Sequence, residues 1–223
     1  MSKKIVKRYL SASDRLSEIM FGLIMAMTII GASRISLVSG DEGVTGRVII
    51  AAAIGCNIAW GIVDALMYVF TALVDRGKHA RLVTAIKQSE DEESAVASIC
   101  NALEDPILAH LDDAERKQVC ATLYKKIVSA EPGNVHVEKD DMAGAIICFL
   151  LAFCTAFLVV IPFFSASGSL LLKLWLSRFI SWGLLFAIGF AYAHHTGKGK
   201  LKTAITMVLI GVLITAVIMV LGG

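Results

Sequence analysis

Two carboxylates stand where hydrocarbon is expected: Glu18 heads the first apolar stretch, and Asp64 lies inside the second, where Val48 to Val74 holds no other charge. A charged side chain at membrane depth costs about 2.5–3.5 kcal/mol on insertion scales, so such residues line cavities, pair, or bind ions. Asp14 lies four residues before Glu18 and shares its helix face. Asn57, Trp60, Asp64 and Met67 recur at helical spacing and form one polar-and-soft stripe. Carboxylates, an amide oxygen and a thioether are donors for a divalent cation of borderline softness, Fe²⁺ or Mn²⁺, and the same carboxylates can exchange that cation for protons. Structural readings stand beside this one. Glu18 could pair with Arg15 or a headgroup lysine, Asp14 could cap its helix, and Asp64 could pair with Arg178, a charge inside the fourth apolar stretch.

The elements that must position these residues are long helices. The chain has 223 residues, 57% hydrophobic and 18% charged, more apolar than the about 45–50% of a soluble domain. Apolar stretches near 16–38, 46–74, 142–165, 170–194 and 203–222 each offer about 20 residues for a bilayer. The expected fold is an all-α membrane protein with five transmembrane helices and a small helical cytoplasmic insert between spans two and three. Its parts are 1–74 (N-terminal segment and spans one and two), 75–140 (a three-helix insert) and 141–223 (spans three to five). Antiparallel spans one and two let Glu18 and Asp64 converge in one half of the membrane.

Lys and Arg gather at the N-terminus, between Arg76 and Lys139, and at Lys198, Lys200 and Lys202. The positive-inside rule then puts the N-terminus in the cytoplasm and the C-terminus outside, in the inner membrane if the source is bacterial. No cleavage pattern of a signal peptide follows the first lysines. In the insert, Ser89 with Glu92 fits a capping box, Pro106 opens a short piece, Asp112, Asp113 and Glu115 start a third helix, and Pro132–Gly133 ends it. Its few apolar residues promise a meagre core. Cys56, Cys100, Cys120, Cys148 and Cys154 lack CxxC spacing and read as buried small hydrophobes, not as a disulfide framework or zinc site. His194–His195 reads as interfacial, and His79, His110 and His136 as solvated. No phosphate loop or nucleophile motif appears, so an enzyme, a cofactor and an ATP-driven pump are not expected. Nucleic-acid binding has no support either.

Ser13-Asp14 followed by Phe21-Gly22-Leu23, the proline-bearing Ala156–Phe164 (AFLVVIPFF) and the closing IGFAYAHHTGKGKLKTAITMVLIG resemble the vacuolar iron transporter family. The order of two spans, a helical insert and three spans is similar as well. The resemblance implies a homodimeric, proton-coupled exporter of divalent metal, with Asp14 matching the family's span-one aspartate. Asn57 stands where the family commonly has a glutamate, Ala65 falls near its usual methionine, Arg15 replaces a glycine, and the insert lacks repeated Glu-x-x-Glu helices. The sequence reading is therefore a transporter exporting Fe²⁺ or Mn²⁺ as its substrate. Glu18 and Asp64 would be central ligands, with Asp14 at the mouth and Asn57 and Met67 assisting. The alternative is a non-transporting membrane protein whose insert docks or regulates a partner.

Overall fold

The structure, a computed structural model, describes residues 9–38, 40, 43, 45–103, 110–130 and 133–221. Its helices are α1 (Ala12–Val38), α2 (Gly46–Lys87), α3 (Glu92–Ala102), α4 (Asp113–Ser129), α5 (Lys139–Val160), α6 (Leu170–Thr196) and α7 (Lys200–Leu221). No strand occurs among the described residues. Five helices are long and apolar enough to cross a membrane, with mean hydropathy from 1.5 to 2.8. This is the make-up of a multi-pass membrane protein. The chain divides into two compact units, Met1–Val69 with Lys139–Gly223, and Phe70–Glu138.

In the first unit the helix ends follow local chemistry. Ser11 and Asp14 start α1 by bonding each other's backbone N–H. Pro162 cannot extend α5, so Ile161–Phe164 tightens into a 3-10 turn. Ser169 caps α6 by accepting from Leu172 N at 3.3 Å. Gly197 ends α6 at φ 68°, a left-handed conformation that a side chain would strain. α1 runs through the middle of the unit: Leu23, Ala26, Met27 and Ile30 join Ile49 and Ala53 of α2, Val159 of α5 and Leu185 of α6 in one core. Backbones meet closely where side chains are smallest. A Cβ on Gly22 would lie 2.5 Å from Ala152 O and 2.9 Å from its Cα, so α1 and α5 touch main chain to main chain.

The second unit is built from Phe70–Lys87 of α2 with α3 and α4. The first helical stretch of the insert expected over 75–140 is the end of α2 rather than a separate helix. α2 runs unbroken for 42 residues, because Gly77 is the only weak helix former at that point and no proline stops it. The cap of α3 is also corrected from Ser89 to Asp91, whose carboxylate accepts from Ser94 N at 2.6 Å; Ser89 Oγ instead donates to Ala85 O. Asp112 and Glu115 form a reciprocal capping box that opens α4, at 2.7 and 3.1 Å. Pro106 and Pro132 lie outside the described residues, and α4 ends at Ser129. The core is small: Ile86, Ala95, Val96, Ile99 and Cys120, flanked by Leu82, Leu103, Leu123 and Ile127. Cys100 and Cys120 are joined by a disulfide, which overturns their reading as inert apolar residues. They stand on facing helices with Cα atoms 5.7 Å apart, inside the usual reach of the bond.

Candidate functional site

The side of α2 that meets other helices is a stripe at intervals of four and three: Ala53, Asn57 and Gly61 are buried, and Asp64 and Tyr68 half-buried. Trp60 and Met67 are 52% and 54% exposed. A step of three residues turns a helix about 60° short of a full circle. Trp60 and Met67 are both displaced from the Asn57–Asp64 line in one direction, while the neighbouring helices lie in the other, over Gly61 and Tyr68. Met67 thus stands apart from the carboxyl pair, with its thioether on the outward side of α2.

Glu18 of α1 and Asp64 of α2 do meet. Their carboxyl groups lie within interaction distance of each other. An ionised carboxylate only accepts, so two carboxyl groups can bond directly only while one of them holds a proton. Glu18 Oε2 is buried and has no partner. Two carboxyl groups so placed can hold a shared proton or a cation, and Glu18 Oε2 is an acceptor open to either.

The third wall is α5. Gly144 packs against the Tyr68 ring so closely that a Cβ would overlap it. Tyr68 Oη donates to Tyr9 O at 2.9 Å, and Tyr9 Oη donates to Asp140 Oδ1 at 3.3 Å. Cys148, 1% exposed, lies within electrostatic reach of Glu18, Asp64 and Asp14. Tyr68 is in similar reach of Asp14, Asp140 and Asp141, and Asp141 is 5% exposed at the head of α5. Sequence reasoning missed these α5 acids because they immediately precede the apolar run that begins at Met142. Tyr68 was within reach of that reasoning, since it follows Asp64 by one helical turn.

The other expected ligands are distributed differently. Asp14 is exposed and bound into the α1 cap: it accepts from Ser11 N at 3.2 Å, and its own N–H donates to Ser11 Oγ at 3.1 Å. Its field reaches Glu18, but its carboxylate holds the helix start. Asn57 is wholly buried, with Nδ2 donating to Ala53 O at 2.9 Å and Oδ1 unpartnered. It lies about 10 Å along the helix from Asp64 at 1.5 Å per residue, a separate polar point rather than a co-ligand. Among the described residues, no three His, Cys, Asp or Glu side chains form a group able to hold a metal. Of the five residues expected from the sequence, the structure brings Glu18 and Asp64 together, while Asp14 holds the helix start, Asn57 lies deeper along α2 and Met67 faces outward.

Two structural alternatives also fall. Arg15 Nε donates to Ser11 O rather than to Glu18. Arg178 stacks on Trp175, with Arg34 over the same ring, and so is not the partner of Asp64. The comparisons with known protein families and with curated proteins return no match for this chain.

Proposed function

We propose that this chain is a membrane transporter that carries a divalent metal cation, Fe²⁺ or Mn²⁺, out of the cytoplasm in exchange for protons. The observation that carries the reading is the direct contact of Glu18 with Asp64 between otherwise apolar helices. In the exchange, the incoming cation takes the carboxylate oxygens and the shared proton leaves. Release of the cation restores the proton. Each ligand state excludes the other, which is the linkage an antiporter requires. Among the described residues two carboxyl groups meet, so the cation keeps water in its shell. Asp14, Asp140 and Asp141 form the acidic approach, and Asn57 Oδ1 is the next oxygen along the path. The distribution of Lys and Arg supports the cytoplasmic placement of that approach, and the family resemblance supports a homodimer.

The test is metal-driven proton movement in vesicles reconstituted with the purified chain. Asp64→Asn keeps the side-chain shape and removes the exchangeable proton. The parent should couple Fe²⁺ or Mn²⁺ entry to proton movement and the variant should not. Equal coupling in both would place the site elsewhere. A second reading, a docking or regulatory protein, is favoured by the cleft of about 890 Å³ between α3 and α4, lined by Glu92, Glu93, Asp113, Arg116 and Lys117. No metal movement by either protein would select it.

A further inference from the structure

At the opposite end of the first unit, two arginines share one indole. Arg34 of α1 lies with its guanidinium carbon 5.4 Å from the Trp175 ring centroid, and Arg178 of α6 with its own 5.3 Å away. Arg178 is only 9% exposed. Arg34 Nη1 reaches Met219 Sδ of α7 at 3.4 Å, a weak acceptor, and Arg34 Nε is buried with none. One turn beyond Arg178, Trp182 Nε1 is another buried donor without an acceptor. The nearby buried hydroxyls are already spent on main-chain carbonyls: Ser177 donates to Val159 O and Ser181 to Ser177 O. No carboxylate among the described residues pairs with either arginine.

This inventory is one-sided. Two fixed positive charges, one of them with an orphaned N–H donor, converge on one indole, and the acceptor that Arg34 reaches is a thioether. Stacking on an indole is worth about 0.5–2 kcal/mol to each cation. Each buried donor left unsatisfied costs about 1–3 kcal/mol. Guanidinium groups match the oxygens of a phosphate in bidentate fashion, so a single anion would meet the charge of both arginines and the orphaned Arg34 Nε together.

We propose that Arg34, Arg178 and Trp175 form a binding site for a phosphate-bearing anion. The position favours the headgroup of an anionic phospholipid. Arg34 stands four residues before the end of α1, about 6 Å along the axis, and a 27-residue helix is longer than the roughly 30 Å hydrocarbon core. The site therefore falls at headgroup level. Beside it on α6, Leu172, Leu176 and Phe179 present an outward apolar strip, 46–58% exposed, against which an acyl chain can lie. Trp175, Phe179 and Trp182 give the aromatic belt typical of that level. Basic pockets between membrane helices hold acidic headgroups by this chemistry. A soluble phosphate offers the same oxygens, and the experiment separates the two sources.

The full chain, purified in a neutral detergent, is titrated with phosphatidylglycerol, phosphatidylcholine and inorganic phosphate, with the thermal midpoint and lipid retention by native mass spectrometry as readouts. Phosphatidylglycerol should raise the midpoint and be retained; phosphatidylcholine should do neither. Arg178→Gln should bind about tenfold more weakly or worse, the loss of one charge-assisted pair. Arg34→Gln, at a less buried position, gives the same reading if Arg178→Gln fails to fold. Stabilisation by inorganic phosphate without phosphatidylglycerol would identify a soluble ligand on the same arginines. Three results overturn the site: no response to either anion, equal response to phosphatidylcholine, or undiminished response in Arg34→Gln. A response that appears only after Asp41→Asn with Glu42→Gln would also overturn it, because those carboxylates would then be the natural partners.

Discussion

The two ends of the α1 helix hold opposite versions of one problem. Near its start, Glu18 sits against Asp64, acid on acid. Sixteen residues on, about 24 Å at 1.5 Å per residue, Arg34 shares an indole with Arg178, base with base. Neither pair has a counter-charge among the described residues. The acidic pair can be completed by a proton or a small cation, species that move and exchange. The basic pair needs an anion large enough to face two planar guanidinium groups. The difference teaches that like charges brought together in an apolar setting specify their missing partner, and that the geometry of the gap separates an exchangeable partner from a resident one.

The largest effect expected is at the acidic end. Asp64→Asn and Glu18→Gln should each lower metal-dependent proton movement about 100-fold, the scale of losing a metal-site group. Because the two groups act as one unit, the double variant should be little worse than either alone. Additive losses in the reconstituted vesicles would break the pair into independent residues. Gly22→Leu should disturb both ends at once, since the added side chain drives α1 away from the Ala152 main chain. Overpacking of this kind costs about 1–3 kcal/mol, read as a lower thermal midpoint of the purified protein. Ser11→Ala removes one partner of the α1 capping box, should cost about 1 kcal/mol, and should be felt at the acidic end alone. The smallest effects sharpen the contrast by their absence. Arg34→Gln should leave proton movement within about twofold of the parent, because sites far apart with no shared partner act independently, and Met67→Leu should do so because its side chain faces outward. A large loss in Met67→Leu would return the thioether to the site.

The sequence made the long helices legible because unbroken apolar runs of bilayer length leave the backbone few alternatives. It also brought Glu18 and Asp64 forward, since two isolated carboxylates in antiparallel neighbouring helices have few places to go. Finer assignments failed where rotation around an axis mattered. Met67 and Asp64 look equivalent on a list of helical spacings, yet about 60° of turn separates an inward group from an outward one. Asp14 was ambiguous for a different reason: a carboxylate three residues after a serine serves a cap and a cation equally well, and only coordinates show the Ser11 bonds made. Asp141, Tyr68 and Cys148 were hidden because their significance comes from α5, a stretch more than seventy residues from Asp64 in sequence. The arginine pair was likewise seen as two separate charges.

The bridge between Cys100 and Cys120 gives the Phe70–Glu138 unit a dependence that heat alone does not describe. A bond closing a loop of this size typically adds about 2–4 kcal/mol, comparable to what so small a core can contribute by itself. Reduction would leave α3 and α4 held by a handful of apolar side chains. For a two-electron thiol couple, about 30 mV of ambient potential changes that balance by about 1.4 kcal/mol. Electron supply thus becomes a variable of the fold. Facing an oxidising compartment, the unit is a covalently closed helix pair; facing a glutathione-buffered cytosol, it is a dithiol whose packing loosens as the pool becomes more reducing.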